Sequence, residues 1–323
     1  MSGKIVILTA PGDISRFRIE DQYSDLPGPG EIRIRHHAIG VNFIDVYQRR
    51  GIYALPSYPA VIGAEAAGIV EAIGAGVADF KIDDRVAYAG PPVGAYCSAR
   101  NVAAERIIKL PDSISAKTAA SSLLKGMTAH LLLEKVYPVQ SGTTVMIHAA
   151  AGGLGSMLVR WAKSLDATVI GTVSTPEKAR LAEACGADHL IVGRGADIVA
   201  EAKQLTGGIG VDVVYDGIGG GMLIESIRAI RPFGMAVTIG QVAGPIPPVS
   251  VEDLKPGKSL SSPSIMAWCA DTDRYRNAAK AALYAMEKGI VSEVAGEYGL
   301  ADVGRAHEDI EGASFAGSIL LIP

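Results

Sequence analysis

The chain has 323 residues, 49% of them hydrophobic and 20% charged, with a formal net charge of −4. That describes a soluble globular protein long enough for two domains, and its scattered Lys and Arg exclude the basic footprint that nucleic acid or acidic lipid would require. The opening MSGKIVILTA has neither the apolar core nor the cleavage site of a secretory signal. No apolar run nears the ~20 residues that span a bilayer, so a cytoplasmic protein is expected.

To about Leu124 the pattern is mostly β. Short runs at Lys4–Thr9, Glu31–Ala38, Ala66–Ile73, Arg85–Ala89 and Ala95–Val102 are punctuated by turn clusters such as Pro27-Gly28-Pro29-Gly30. Many short strands with close turns predict a compact barrel-like domain. Alternation sends His36 and His37 to opposite faces of their strand, so they cannot ligate one metal together. Cys97, Cys185 and Cys269 lie far apart with no C-x-x-C or Cys/His ligand spacing, which argues against a disulfide framework and a structural zinc lobe. Helices are predicted over Ser115–Leu124 and Thr128–Val136, with a domain boundary near Lys125 where the texture changes.

Beyond that boundary, Thr143–Ala149 is an apolar run suited to a buried parallel strand. A turn of small residues, Ala150–Gly155, and a helical run, Ser156–Leu165, follow it. A strand, a glycine turn and a helix in that order make a phosphate site. Gly152 and Gly153 admit an anion to the backbone N–H groups, Gly155 lets the helix sit close to its strand, and the helix N-terminus faces the phosphate. The alternative is a small-residue turn serving only close packing. Against it, β-branched runs recur at Thr168–Val173, His189–Val192, Val211–Asp216 and Met235–Ile239, each separated from the last by a helix-length stretch. This alternation predicts an α/β fold with a doubly wound parallel sheet. Gln241–Pro263, rich in Gly, Pro and Ser, reads as irregular and site-lining. A helix is expected at Asp273–Lys288, and the strand Ser318–Ile322 is expected to return to the first domain.

NAD-specific proteins of this type usually place an acid ~20 residues past the glycine turn to bind the ribose hydroxyls. Here the second strand ends Gly171-Thr172-Val173-Ser174 without one, which permits the 2′-phosphate of NADPH. Lys178 lies in the opening turn of the next helix, begun by Thr175-Pro176, where a cation opposes the helix dipole and a bound phosphate would offset that placement. An ordinary exposed lysine is the other reading. Arg194 is a weaker candidate for the same anion.

The blocks Val41-Asn42-Phe43-Ile44-Asp45-Val46-Tyr47 and Arg49-Arg50-Gly51-Ile52-Tyr53 resemble the substrate-domain signature of the quinone oxidoreductases, the zinc-free, zeta-crystallin-like branch of the medium-chain dehydrogenase/reductases. Gly63–Gly68, Leu124–Ala129, His148–Gly155, Gly171–Val173, Val213–Asp216, Arg305–His307 and Ser318–Pro323 follow in the family's order. The resemblance implies a GroES-like mostly-β domain, residues 1–125 and 265–323, split around a Rossmann domain, residues 126–264. It implies an NADPH-dependent enzyme reducing a small-molecule quinone in an interdomain cleft, or by small changes an activated alkene, and a homodimer. A nucleotide-binding, crystallin-like protein with incidental activity is the reading from another class.

By the same resemblance Asn42 lies near the nicotinamide ribose, although Asn before Phe43–Arg49 is also a good helix N-cap. Tyr47 and Tyr53, readable as ordinary packing aromatics, are implied to hold flat rings by stacking plus one hydrogen bond each. Cofactor contacts are implied for Asn42, Lys125, Thr128, Ala151, Gly152, Gly153, Leu154, Gly155, Ser174, Lys178, Arg194, Ile239, Gly240 and Gln241. The last two could equally form an ordinary turn. Zinc-dependent relatives carry Cys and His ligands at positions matching Asn42 and Ala64, with a third near Leu124. These residues cannot replace such donors, so no metal is expected and Glu65 reads as structural. Lys125 and Cys269 have no activating partner visible in the sequence and receive no role as acid or nucleophile. Two positions depart from the family: Arg160 where Gln is common, and Gly193 where a Tyr usually lies along the adenosine.

Overall fold

The computed structural model describes residues 3–23, 25–313 and 315–323. The chain forms two compact units, Met1–Met127 with Ile265–Pro323, and Thr128–Ser264. The division falls inside the helix Ala116–His130, where the sequence places it after Lys125. The two helices expected around this point are one. Gly126 is tolerated in the interior, and the helix runs on into a π-helical stretch, Leu131–Val136.

In the first unit the strand Glu31–Val41 is the organiser. Along one edge it pairs antiparallel with Glu65–Ile73, while Ala99–Ala103 and Ser318–Ile322 also pair with it antiparallel, at Glu31–Arg35 and Ile39–Val41 respectively. An irregularity in the register between His36 and Ala38 changes the parity of the strand. Ile32 and Ile34 before it, and Ile39 and Val41 after it, therefore enter the same core with Val6, Val86, Tyr96 and Leu321. Ala38 faces the other way, into an alanine-rich core with Ala67, Ala87, Ala119, Ala278 and Ala282. Those small side chains let Ala116–His130 and Thr272–Glu287 pack close to the sheet. Each fully buried Ile or Leu contributes about 1.5–3 kcal/mol by leaving water.

The sequence missed three pairings in this unit. Phe17–Gln22 forms a two-stranded ribbon with Gly3–Leu8, Val294–Gly299 runs parallel to Ser318–Ile322, and Ile108–Lys109 pairs with Arg85–Ala89. The first is rich in charge and the second in glycine, so neither shows a strand's apolar alternation.

The second unit is a six-stranded, all-parallel sheet. Its order is His189–Val192, Thr168–Val173, Thr144–Ile147, Val211–Asp216, Ile230–Thr238 and Ser259–Ser261. Numbered along the chain this is 3-2-1-4-5-6, the doubly wound order, with its switch point between Thr144–Ile147 and Val211–Asp216. Met146, Ile170, Val214 and Ala236 pack beneath the helices Ile198–Leu205 and Met222–Ala229. The stretch 241–263 is not wholly irregular, since its serine-rich Ser259–Ser261 supplies the edge strand. Among the described residues no helix is long and apolar enough to cross a membrane.

Candidate active site

At the switch point the chain turns sharply. Ala149 adopts φ +50°, a left-handed conformation that costs an alanine roughly 1–2 kcal/mol and swings its carbonyl under the following turn. A Cβ on Gly155 would lie 2.2 Å from that carbonyl oxygen, so nothing larger than glycine fits there without movement. Gly152 caps the helix Gly153–Ser164, and the first helical bond runs from the Ser156 N–H to the Gly152 carbonyl at 2.8 Å. The N–H groups of Gly153, Leu154 and Gly155 thus have no intrahelical acceptor and are oriented for an anion. Ala151 completes this turn.

A buried polar chain braces it from below. His148 lies 2.8 Å through Nδ1 from Thr172 Oγ1 and 2.9 Å through Nε2 from Ser226 Oγ, which donates to Asp216 Oδ2 at 2.9 Å. With the Ser226 proton on Asp216, the His148 Nε2–H donates to Ser226 and Nδ1 accepts from Thr172. Burial pushes the His148 pKa down against the Asp216 charge, which favours this neutral ring. Asp216 Oδ1 accepts the Ile218 and Gly219 N–H groups at 2.8 and 3.0 Å, tightening the neighbouring turn. A Cβ on Gly219 would meet Gln241 Cα at 2.6 Å, so Gly240 and Gln241 lie against that turn. Ile239 is tied to it by its N–H to the Asp216 carbonyl at 2.8 Å. Sequence reasoning missed His148, Ser226 and Asp216 as a bracing set, because residues this far apart meet only at the strand ends.

Ser174 and Lys178 follow the strand Thr168–Val173, with Thr175 Oγ1 accepting the Lys178 N–H at 3.3 Å at the start of the helix Pro176–Ala184. Arg194 is exposed just beyond His189–Val192. Gly193 stands at φ +112° with no atom within 4 Å of an added Cβ, so conformation and not space disfavours a tyrosine there. Thr128, the first residue of this unit, is half-buried on the Ala116–His130 helix.

The first unit holds the other expected residues. Asn42 is the N-cap of Phe43–Arg49, and the Asp45 carboxylate reaches back to its N–H at 2.9 Å. The Asn42 side chain donates from Nδ2 to Glu65 Oε1 at 2.8 Å and accepts at Oδ1 from Lys125 Nζ, also at 2.8 Å. Glu65 Oε2 accepts the Leu124 N–H at 2.8 Å, and Lys125 Nζ lies 3.4 Å from Glu65 Oε1. Asn42 and Lys125 are thus brought together, by a glutamate that the sequence had left outside the site. Beneath them the Tyr96 hydroxyl joins Asp45 Oδ2 at 3.1 Å to His307 Nε2 at 2.9 Å. Burial raises the Asp45 carboxyl to about 7, opposed by its bonds from Asn42 and Tyr96. Burial, with the Arg49 charge, lowers His307 to about 3.

Tyr47 is 6% exposed and Tyr53 is 44% exposed, with their rings edge to face at 5.2 Å between centroids. The Tyr47 carbonyl accepts the N–H groups of Ile52 and Tyr53, which folds the loop so that one ring supports the other. His36 and His37 part as expected: His36 is buried between the Cys97 carbonyl and the Tyr88 hydroxyl, and His37 is exposed.

Two family models match, "Alcohol dehydrogenase GroES-like domain" over residues 28–112 and "Zinc-binding dehydrogenase" over residues 153–282. A quinone oxidoreductase of Pseudomonas aeruginosa is 39% identical over 92% of both chains. The chain belongs to the quinone oxidoreductase family of the medium-chain dehydrogenase/reductases. A family member from Burkholderia, a 2-haloacrylate reductase, is 40% identical over 98% of each chain. The Escherichia coli quinone oxidoreductase, solved as a complex with NADPH, superposes with a TM-score of 0.94 at 36% identity, covering 99% of this chain and all of that one. In this family the Rossmann and GroES-like folds are the two units described above. The zinc named by one family model does not fit here. An amide at Asn42 and a methyl at Ala64 are no donor set for it, and among the described residues no three His, Cys, Asp or Glu side chains converge on one point.

Proposed function

We propose that the chain is an NADPH-dependent, zinc-independent quinone oxidoreductase, cytoplasmic and homodimeric. The observation that carries the nucleotide reading is the turn Ala149–Gly155, where a left-handed alanine and a glycine that tolerates no Cβ present three free N–H groups at the sheet's switch point. Ala151, Gly152, Gly153, Leu154 and Gly155 hold the pyrophosphate. Lys178 takes the 2′-phosphate, for which the acid-free end at Ser174 leaves room, and the exposed Arg194 is the weaker candidate for the same anion. Thr128, Ile239, Gly240 and Gln241 follow the cofactor toward its nicotinamide half, which Asn42 and Lys125 bind through the amide and ammonium. When bound, NADPH supplies a hydride to the acceptor.

The chain's own work is orientation and exclusion of water. Tyr47 and Tyr53 offer ring area for a flat acceptor and one hydroxyl each for the developing oxygen charge. A reduced quinone leaves as a stable anion that takes its proton from water, so no side chain need act as an indispensable acid.

The 2-haloacrylate reductase relative favours a second reading, reduction of an activated alkene. NADPH oxidation by the purified protein across a panel of quinones, 2-haloacrylates and α,β-unsaturated carbonyls separates the two. A quinone kcat/KM at least tenfold above every alkene, unchanged by a chelator, is expected. The reverse order would install the alkene reading. NADPH binding without turnover of either class would leave a nucleotide-binding protein.

A further inference from the structure

We infer that Glu65 is a positioning residue that fixes which end of the Asn42 amide is offered to the nucleotide. The inference rests on the part given to Asn42 above. Glu65 is fully buried, and its carboxylate is held at both oxygens, by the Leu124 N–H at Oε2 and by Asn42 Nδ2 at Oε1. Room for it comes from the paired strand. Gly40 stands opposite Glu65 in register, and a Cβ there would lie 2.5 Å from Glu65 Oε1 and 2.2 Å from the Ala120 carbonyl oxygen. The glycine at this position is what lets the carboxylate be seated.

Lys125 reads the other end of the amide, with Nζ 2.8 Å from Oδ1. Turning the amide over would set its oxygen against a carboxylate and its NH2 against an ammonium, replacing two charge-assisted attractions by two repulsions in a water-poor site. One orientation survives. The Asn42 main chain is fixed as well, by the Asp45 carboxylate on its N–H. With one Nδ2 hydrogen committed to Glu65, the second Nδ2 hydrogen is the donor that Asn42 presents to the cofactor.

A pair that only supported the fold would work equally well with its polarity reversed, and that can be built. Asn42→Asp puts a carboxylate against Glu65. Adding Glu65→Gln restores the Asn42–Glu65 bond in the opposite sense, while the 3.4 Å Lys125–Glu65 pair gives way to a pair between Lys125 and the carboxylate at position 42. The amide introduced at position 65 donates to the carboxylate introduced at position 42, while its oxygen still accepts from the Leu124 N–H, and Lys125 pairs with the new carboxylate. The charge of the group is unchanged, and at residue 42 the outward donor is replaced by an acceptor. Thermal midpoint and NADPH affinity by fluorescence titration are measured for N42A, N42D and N42D/E65Q.

N42D is expected to lower both, with NADPH affinity down at least tenfold. The double variant should recover the midpoint to within about 2 °C of the parent while its affinity stays at least tenfold weak. Recovery of affinity together with the midpoint would overturn the positioning role, and failure to recover the midpoint would overturn the polarity. N42A that binds NADPH as well as the parent would remove Asn42 from the cofactor site, a failure of the reading beneath the inference and distinguishable from the other two.

Discussion

Replacing Asp45 by Asn should make the first unit more stable in alkali than the parent, by an amount that depends on pH in a defined way. Asp45 Oδ2 accepts from the Asn42 N–H and the Tyr96 hydroxyl, bonds an amide oxygen can keep, while Oδ1 is buried without a protein partner. Burial raises the carboxyl from 3.8 to about 7, with Glu65 adding to the rise and Lys125 opposing it. Between these values the folded protein holds a proton that the unfolded chain has released, so parental stability falls as pH rises. From pH 5 to 7 the loss is about 2 kcal/mol, the slope falling from ~1.4 kcal/mol per unit to half that at pH 7, and it levels off at about 2.6 kcal/mol by pH 8.

The variant has no such proton to lose. His307, near 3, and Tyr96, held well above 10, keep their neutral forms over this range, and the histidines of the unfolded chain titrate equally in both proteins. Urea unfolding in a Trp161→Phe background lets Trp268 report the first unit alone. The stability difference, D45N minus parent, should grow by roughly 3 kcal/mol between pH 5 and 8. A difference flat in pH would refute the buried, protonated Asp45.

Lys178→Ala should weaken NADPH binding roughly ten- to a hundredfold and spare NADH, the value of one charge-assisted bond of ~1.5–3 kcal/mol; equal losses in titrations with both nucleotides would reject the 2′-phosphate assignment. Gly155→Ala forces a methyl onto the Ala149 carbonyl and should cost about 1–3 kcal/mol in urea unfolding and most NADPH affinity, an outcome contradicted by wild-type binding. Tyr47→Phe and Tyr53→Phe should each lower kcat/KM for quinones by about tenfold or less, and the alanine variants by more. A loss of ~10³-fold in either Phe variant would reveal a dedicated acid.

The parallel sheet was legible because its strands are β-branched runs at regular spacing, and Thr168–Val173, His189–Val192 and Val211–Asp216 match the observed bounds. The glycine turn was legible because steric need leaves its mark on residue type: only glycine passes the Ala149 carbonyl at position 155. Ser259–Ser261 and Val294–Gly299 were not, since an edge strand draws its stability from backbone pairing and leaves little pattern in its side chains. Nor was the role of Glu65. A carboxylate's partners are set by which strands are neighbours, and Gly40, Leu124 and Lys125 converge on it only after the sheet has formed. The same holds for Asp45, whose raised pKa comes from burial that the polar surroundings Asn42, Gln48 and Arg49 conceal in the sequence.

The position of Ser318–Ile322 has a consequence for how the molecule is made. That strand lies between Val294–Gly299 and Glu31–Val41, inside its sheet and not at the rim. On the ribosome, residues 42–317 emerge between the two partners, while the strands of the nucleotide unit all emerge within 144–261. The nucleotide unit can therefore close its sheet early, and the first unit must wait with Ile39–Val41 bare of its neighbour. During that wait a hydrogen-bonding edge and the apolar side chains behind it are open to pairing with another nascent chain. Covering this segment until Ser318–Ile322 arrives is therefore a requirement that the order of synthesis places on the first unit and not on the second.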